Sequence, residues 1–213
     1  ATGTYLQANG LEPGGCPELM NDTHPDVVRQ MAANYFAAGS NMVETNSFGG
    51  SRYMLNKYDL GDRVEELNRK GAELARSAAP DGCFVLGSIG PTGEFLEPNG
   101  TATENEMYDV FCEQVRGLVA GGVDAVCIET MSDLAETCLA LRAAKETADV
   151  AVITTMTFDK GPRGYFTMMG TTPELAAEQL TVAGADIVGS NCGLPIESLV
   201  EIVARMRSAT EKP

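Results

Sequence analysis

The stretch "AGGVDAVCIET" (Ala120–Thr130) carries a pattern that occurs twice more, in "AAGSNMVETN" (Ala37–Asn46) and "VAGADIVGSNC" (Val182–Cys192). In each copy a glycine is followed by Asp or Asn and then by a short apolar run that ends in polar residues. Such a glycine suits the left-handed end of a helix, and the apolar run is typical of a buried strand. The pattern therefore predicts the end of a helix and the start of a strand at each copy.

The segments between these copies predict further strands and helices. "FVLGSIG" (Phe84–Gly90) and "VAVITTMTF" (Val150–Phe158) have the composition of buried strands, and apolar residues at helical spacing lie between all the runs. The predicted strands are approximately Val43–Asn46, Phe84–Ser88, Ala125–Glu129, Val152–Thr157 and Ile187–Asn191.

The strict alternation of strands and helices predicts an α/β fold with a parallel sheet in sequential order. No G-x-G-x-x-G follows a strand, so the dinucleotide-binding fold lacks its fingerprint. Polar residues instead follow several different strands, as they do in an eight-stranded (β/α)8 TIM barrel. We expect a single domain over residues 1–213, a barrel without its last two strand–helix units and with only part of the first strand.

Composition excludes several classes of function. The net charge of −15 disfavours a nucleic-acid surface, which needs clustered Lys and Arg. No apolar run is long enough to cross a membrane, and the first residues lack the features of a signal peptide. The six cysteines form no C-x-x-C pair, which indicates reduced cysteines and a cytoplasmic location.

Two residues at predicted strand ends could do chemistry. Glu129 ends the run "AVCIET", where a carboxylate could receive a substrate amine, act as a general base, or form a salt bridge at the rim. Cys192 precedes a Gly-Leu-Pro turn into a helix, and a helix N-terminus favours the thiolate form of a nearby cysteine. Cys192 could therefore be a nucleophile, a soft metal ligand or a structural cysteine. We expect Asn46, Ser88, Glu129 and Cys192 to meet at one rim.

Seven segments in order resemble the homocysteine S-methyltransferase family, especially the homocysteine-binding barrel of cobalamin-dependent methionine synthase. The segments are "ATGTYLQ", "ETNSFGGSR", "GSIGPTGE", "CIETMSD", "TTMTF", "GTTP" and "GSNCG". The resemblance covers essentially the whole chain and implies a zinc-dependent S-methyltransferase of methionine biosynthesis. It identifies residues 1–213 as a homocysteine-binding barrel domain that is incomplete at its C-terminal end.

The resemblance implies a zinc ion held by three cysteine thiolates, with the homocysteine sulfur in the open position. Cys192 matches one of these ligands, and the other two belong to a G-G-C-C segment that this sequence does not contain. The resemblance further implies that the activated thiolate attacks a methyl group on methylcobalamin, S-methylmethionine or betaine. The expected partners are homocysteine and a methyl donor or a corrinoid protein or domain.

The resemblance also implies residues that bind substrate. Glu129 matches the carboxylate that receives the amino group, Asn46 matches an Asn that lines the pocket, and Ala1 with Thr2 matches the turn that meets the carboxylate end. Two alternatives are a corrinoid-linked methyltransferase for another thiol and an inactive barrel fragment that acts as a binding module. An open barrel would also expose sheet edges, through which we expect self-association.

Overall fold

Five parallel strands form the main sheet in a computed structural model that describes residues 2–213. Their order in the sheet is β1-β2-β3-β4-β7, and β5 pairs with β6 in a separate antiparallel hairpin. The strands are β1 Met42–Glu44, β2 Phe84–Ile89, β3 Ala125–Met131, β4 Ala151–Met156, β5 Asp159–Gly161, β6 Gly164–Phe166 and β7 Ile187–Ser190. The predicted α/β class with sequential parallel strands is confirmed.

Helices precede, connect and follow the parallel strands. They are α1 Thr2–Ala8, α2 Met20–Thr23, α3 Pro25–Ala37, α4 Arg52–Asn56, α5 Val64–Ala78, α6 Glu104–Ala120, α7 Leu134–Thr147, α8 Pro173–Val182 and α9 Ile196–Arg207. One 3₁₀ turn, Gly61–Arg63, precedes α5. Adjacent helices α5, α6 and α7 pack against each other and against strands of the sheet.

The glycines of the repeated pattern end helices as the sequence predicts. Gly39, Gly122 and Gly184 have φ values of 101°, 87° and 100°, in the region that costs a residue without Cβ least. Thr103 and Glu106 form the capping box at the start of α6, which is one of the sequence signals for a helix N-terminus.

The two faces of the sheet have different environments. Val85, Val126 and Val152 are fully buried and pack in the main hydrophobic core beneath the helices. The registers Glu44↔Leu86 and Ser88↔Cys127 place alternate residues on the opposite face, which we call the site face. The site face therefore carries polar and ionisable side chains that are kept out of the main core.

Two local elements differ from the sequence prediction. Within residues 2–213 no strand precedes β1, because the first segment forms helix α1 with Leu6 buried against Met20, Val28 and Met31. A helix satisfies its backbone hydrogen bonds internally, whereas a strand would need a neighbour. The β5–β6 hairpin, which follows β4, was not predicted.

The outer sides of the sheet are β1 and β7, each of which pairs with one strand among the described residues. At β7 the N–H of Val188 donates to the carbonyl of Pro213 at 3.1 Å. Helix α9, beside β7, exposes Ile196, Val200 and Val203. Across residues 2–213, none of the helices combines the length and apolar character needed to span a membrane.

Candidate active site

The side chains expected to do chemistry lie at the carboxyl end of the parallel sheet. Ser88 and Glu129 are near the ends of β2 and β3, and Asn46 and Cys192 follow β1 and β7 by two residues each. Since parallel strands present their carboxyl ends at one edge, these residues share that edge.

Ser88 and Glu129 are directly bonded. The buried Ser88 hydroxyl donates to Glu129 Oε1 at 2.5 Å, and Glu129 itself is half-buried. Burial raises the pKa of the Glu129 carboxyl, and the hydrogen bond from Ser88 opposes part of that shift. A bonded carboxylate in a partly desolvated position is suited to bind a cation.

The strand that carries Glu129 is irregular at this point. Ile128 pairs with Thr154 but Met131 pairs with Met156, so β3 has one more residue than β4 over this interval. The irregularity is a β-bulge, a feature that redirects a side chain at a sheet edge. Thr130, within the bulge, has a φ of 60°, which is rare for a β-branched residue.

Asn191 connects the bulge to Cys192. Its Oδ1 accepts from the N–H of Thr130 at 3.0 Å and from Thr155 Oγ1 at 2.9 Å. Its Nδ2 donates to Thr130 Oγ1 at 2.8 Å and lies 3.4 Å from both Glu129 Oε2 and Cys192 Sγ. The site is therefore a continuous polar row from Ser88 through Glu129 and Asn191 to Cys192.

Cys192 presents an exposed thiol at the end of this row. It has a φ of 59°, and its Sγ is 3.9 Å from Thr130 Oγ1. Among residues 2–213 no group of three His, Cys, Asp or Glu side chains could hold a metal ion. A structural or catalytic zinc site needs at least three protein ligands, so the described residues do not form one by themselves.

Glu44 and Cys127 are two further ionisable residues on the site face. The Cys127 side chain is hydrogen-bonded to Glu44, and Cys127 is buried. Loss of solvation and the charge of Glu129 raise the pKa of Glu44. The pKa of Cys127 is raised by its burial and by the two carboxylates, so this thiol is held protonated.

Asn46 lies at the same edge, but its side chain is engaged elsewhere. Its Nδ2 donates to the Pro17 carbonyl at 2.7 Å and to Asn21 Oδ1 at 2.9 Å, and it is buried. The structure thus joins Ser88, Glu129 and Cys192 in one row and leaves Asn46 outside that row. A substrate contact for Asn46 remains a prediction.

Of the two residues expected at the substrate's carboxylate end, Ala1 lies outside the described residues. Thr2 is exposed and lines a cleft of about 420 Å³ with Met42, Glu44 and Leu86. Thr2 therefore shares a cleft with Glu44, and its role in binding substrate remains a prediction.

The sequence alone predicts no role for Thr130, Thr155 or Asn191. The connections among them depend on the bulge and on partners 61 and 36 positions apart in the chain. The motif G-S-N-C was the available signal, because it places Asn191 directly before Cys192.

The similarity of this chain to known proteins identifies its family. A sequence model of the family described as Homocysteine S-methyltransferase matches residues 1–213, so the chain belongs to that family.

Characterised relatives agree with this assignment. Methionine synthase from Mycobacterium tuberculosis is 35% identical over 90% of this chain, and the chain covers 17% of that protein. Betaine–homocysteine S-methyltransferase 1 from Danio rerio is 30% identical over 98% of this chain, and the chain covers 50% of it. The chain thus spans half or less of the length of these relatives.

Solved structures share the fold. The metallated form of the homocysteine methyltransferase MmuM from Escherichia coli superposes with a TM-score of 0.85 and is 19% identical. The match covers 100% of this chain and 79% of that structure. The apo form of the same protein gives a TM-score of 0.77. These similarities support the barrel fold.

Proposed function

We propose that this chain is the homocysteine-binding barrel domain of an S-methyltransferase that converts homocysteine to methionine. The observation that carries the proposal is the bonded row from Glu129 to Cys192 through Asn191, which places a carboxylate and an exposed thiol at one rim. Family membership supplies the substrate class, an amino thiol.

In this proposal the row orients an amino thiol. Glu129 receives the ammonium group, since a half-buried carboxylate is stabilised by a cation. Ser88 holds the other side of that carboxylate at 2.5 Å and fixes its direction. The substrate sulfur then lies toward Cys192, with Thr2 near the carboxylate end.

We further propose that Cys192 is one ligand of a zinc ion, as the resemblance to the family implies. The described residues supply this one exposed thiol and no complete ligand group, so the remaining ligands would come from elsewhere. When bound, zinc would lower the pKa of a coordinated thiol.

The methyl donor is proposed to be methylcobalamin, S-methylmethionine or betaine, delivered free or by a corrinoid protein or domain. The cysteines of the described residues are all free, which supports a reducing compartment such as the cytoplasm. Self-association through the outer edges of β1 and β7 also stays a prediction.

The test is a methylation assay of the intact protein with L-homocysteine and each of the three donors. We expect methionine with one donor, loss of activity in Cys192→Ala, and loss of bound zinc in the same variant. Cys138→Ala is the matched control, because Cys138 is a half-buried thiol on α7 away from the site and its removal should preserve the rate.

Three outcomes would contradict the proposal. Full activity of Cys192→Ala would show that the Cys192 thiol is not part of the active site. Methylation of a different thiol, with homocysteine inert, would favour the corrinoid-linked methyltransferase, and no methylation with any donor would favour a binding module.

A further inference from the structure

We propose that Asn191 is a positioning residue that fixes the β-bulge at Glu129 and Thr130 against Cys192. By doing so it sets the spacing between the carboxylate that receives the substrate's ammonium group and the thiol at the reacting end. The inference rests on the proposed function, because it concerns how that same site selects its amino thiol.

The first support is the conformation of Thr130. A β-branched residue at a φ of 60° is strained and must be held by its surroundings. The Asn191 amide bonds two polar groups of Thr130 within the bulge, accepting from its N–H at 3.0 Å and donating to its Oγ1 at 2.8 Å. One side chain thus contacts the strained residue at two points.

The second support is the fixed orientation of the amide. Thr155, on the neighbouring strand β4, donates to Asn191 Oδ1 at 2.9 Å. With Oδ1 shared by Thr155 and Thr130, rotation of the amide would break two hydrogen bonds. The Nδ2 group therefore stays directed between Glu129 Oε2 and Cys192 Sγ, 3.4 Å from each.

Selectivity follows from this arrangement. A substrate that bonds Glu129 through its ammonium group and presents its sulfur at Cys192 must span a set distance. Homocysteine has an amine and a thiol separated by one methylene more than in cysteine. A fixed bulge should therefore favour homocysteine over cysteine, and a loosened bulge should lose much of that preference.

The experiment measures kcat/KM for homocysteine and cysteine in the intact protein and its variants. Asn191→Ala should lower kcat/KM for homocysteine by about 100-fold and the homocysteine-to-cysteine ratio by about tenfold. Thr155→Val removes one hydrogen bond to the Asn191 amide. We therefore expect a smaller loss of kcat/KM for homocysteine, of about threefold to tenfold, with a smaller fall in the homocysteine-to-cysteine ratio.

A rescue variant separates positioning from general stability. Glycine adopts a positive φ without a Cβ clash, so Thr130→Gly should let the bulge form without the amide. Added to Asn191→Ala, it should restore the homocysteine-to-cysteine ratio by at least about threefold. A purely structural role of Asn191 predicts no such recovery of the substrate ratio. Circular dichroism and thermal melting of each variant check that it is folded.

The outcomes are distinguishable. A folded Asn191→Ala protein with an unchanged substrate ratio would overturn this inference while leaving the proposed function intact. If Asn191→Ala does not fold, an unchanged ratio in Thr155→Val overturns it instead. A wild-type protein that methylates neither amino thiol would overturn the proposed function, and the inference with it.

Discussion

Asn46 and Asn191 both follow a parallel strand by a short step, yet the protein uses them differently. Asn46 belongs to the β1 loop, residues 45–51, where the amide groups of Asn21, Asn68 and Gln114 bond backbone carbonyls. Asn191 belongs to the β7 loop, residues 191–195, and bonds Thr130 and Thr155 beside the exposed Cys192. Asn46 is thus bonded within a packed loop, whereas Asn191 is bonded to the β3 bulge beside an exposed thiol.

The difference arises from what packs behind each loop. Helices α2 and α5 lie behind the β1 loop, and the Asn21 amide bonds the carbonyls of Asn46 and Leu67 at 2.8 and 3.0 Å. The β7 loop has the β3 bulge as its neighbour and remains open to solvent at Cys192 and Gly193. The comparison predicts large stability effects in the first region and large activity effects in the second.

The largest expected stability effect is at Asn46. Asn46→Ala removes two buried hydrogen bonds and leaves a cavity, so the free energy of unfolding should fall by about 2–4 kcal/mol. Asn191→Ala, in a half-exposed site, should lower the free energy of unfolding by less than about 1 kcal/mol. Chemical denaturation of both variants measures the difference. Weakened homocysteine binding without lost stability in Asn46→Ala would instead give Asn46 the substrate contact that the sequence predicts.

A second test measures how rigid the β1 loop is. A Cβ at Gly50 would lie 2.4 Å from Asn68 Oδ1, the residue whose amide bonds the Gly50 carbonyl. Gly50→Ala should therefore lower the free energy of unfolding by about 1–3 kcal/mol. Gly3→Ala in α1 is the control, because its added Cβ meets no atom within 4 Å apart from its chain neighbours and its own helix backbone. Equal stability of the two variants would show that the loop is adaptable.

The buried carboxyl of Glu18 should give the β1 loop a pH dependence. It accepts from the N–H of Gly49 at 2.7 Å, and burial raises its pKa. The native state then holds this proton more tightly than the unfolded chain, so the stability contribution is lost as pH rises through the native pKa.

Glu18→Gln does not titrate and keeps the acceptor for Gly49. It should flatten this part of the pH profile and raise the free energy of unfolding at neutral pH by about 1 kcal/mol. Denaturation from pH 4 to pH 8 compares how steeply the free energy of unfolding of the two proteins changes with pH. This range begins near the ordinary carboxyl pKa and extends above it. A steeper decline in Glu18→Gln than in the wild type would show that the carboxylate itself stabilises the loop.

The smallest stability effect is expected at Cys192. Its thiol is exposed, so Cys192→Ala should change the free energy of unfolding by less than about 0.5 kcal/mol while removing activity. Cys127→Ala removes a buried thiol and should lower the free energy of unfolding by about 1 kcal/mol or more. Thermal melting of both variants measures the contrast. A large destabilisation by Cys192→Ala would give this cysteine a structural role.

The fold was predictable because it depends on local patterns. Glycine at the end of a helix followed by an apolar run marks each strand of the repeat, and the glycines adopt the expected positive φ. The β5–β6 hairpin was missed although Pro162 and Arg163 separate its strands, because these strands of three residues each carry little apolar alternation.

The site was predictable as a set of positions and not as a set of contacts. A rim carboxylate and a thiol follow from strand ends, and Ser88, Glu129 and Cys192 are joined there. The bulge at Thr130 has no local signature, since threonine normally favours an extended conformation. The engagement of Asn46 with Pro17 and Asn21 depends on residues 29 and 25 positions away, and periodicity carries no such information.

The central claim is that Glu129 recognises the ammonium group of an amino thiol. The direct measurement is kcat/KM of Glu129→Gln in the intact protein with homocysteine and with 4-mercaptobutyrate, which lacks the amine. We expect a loss of about 2–5 kcal/mol in transition-state binding for homocysteine and little change for 4-mercaptobutyrate. Equal losses for the two thiols would contradict the account and leave Glu129 as a support of the rim.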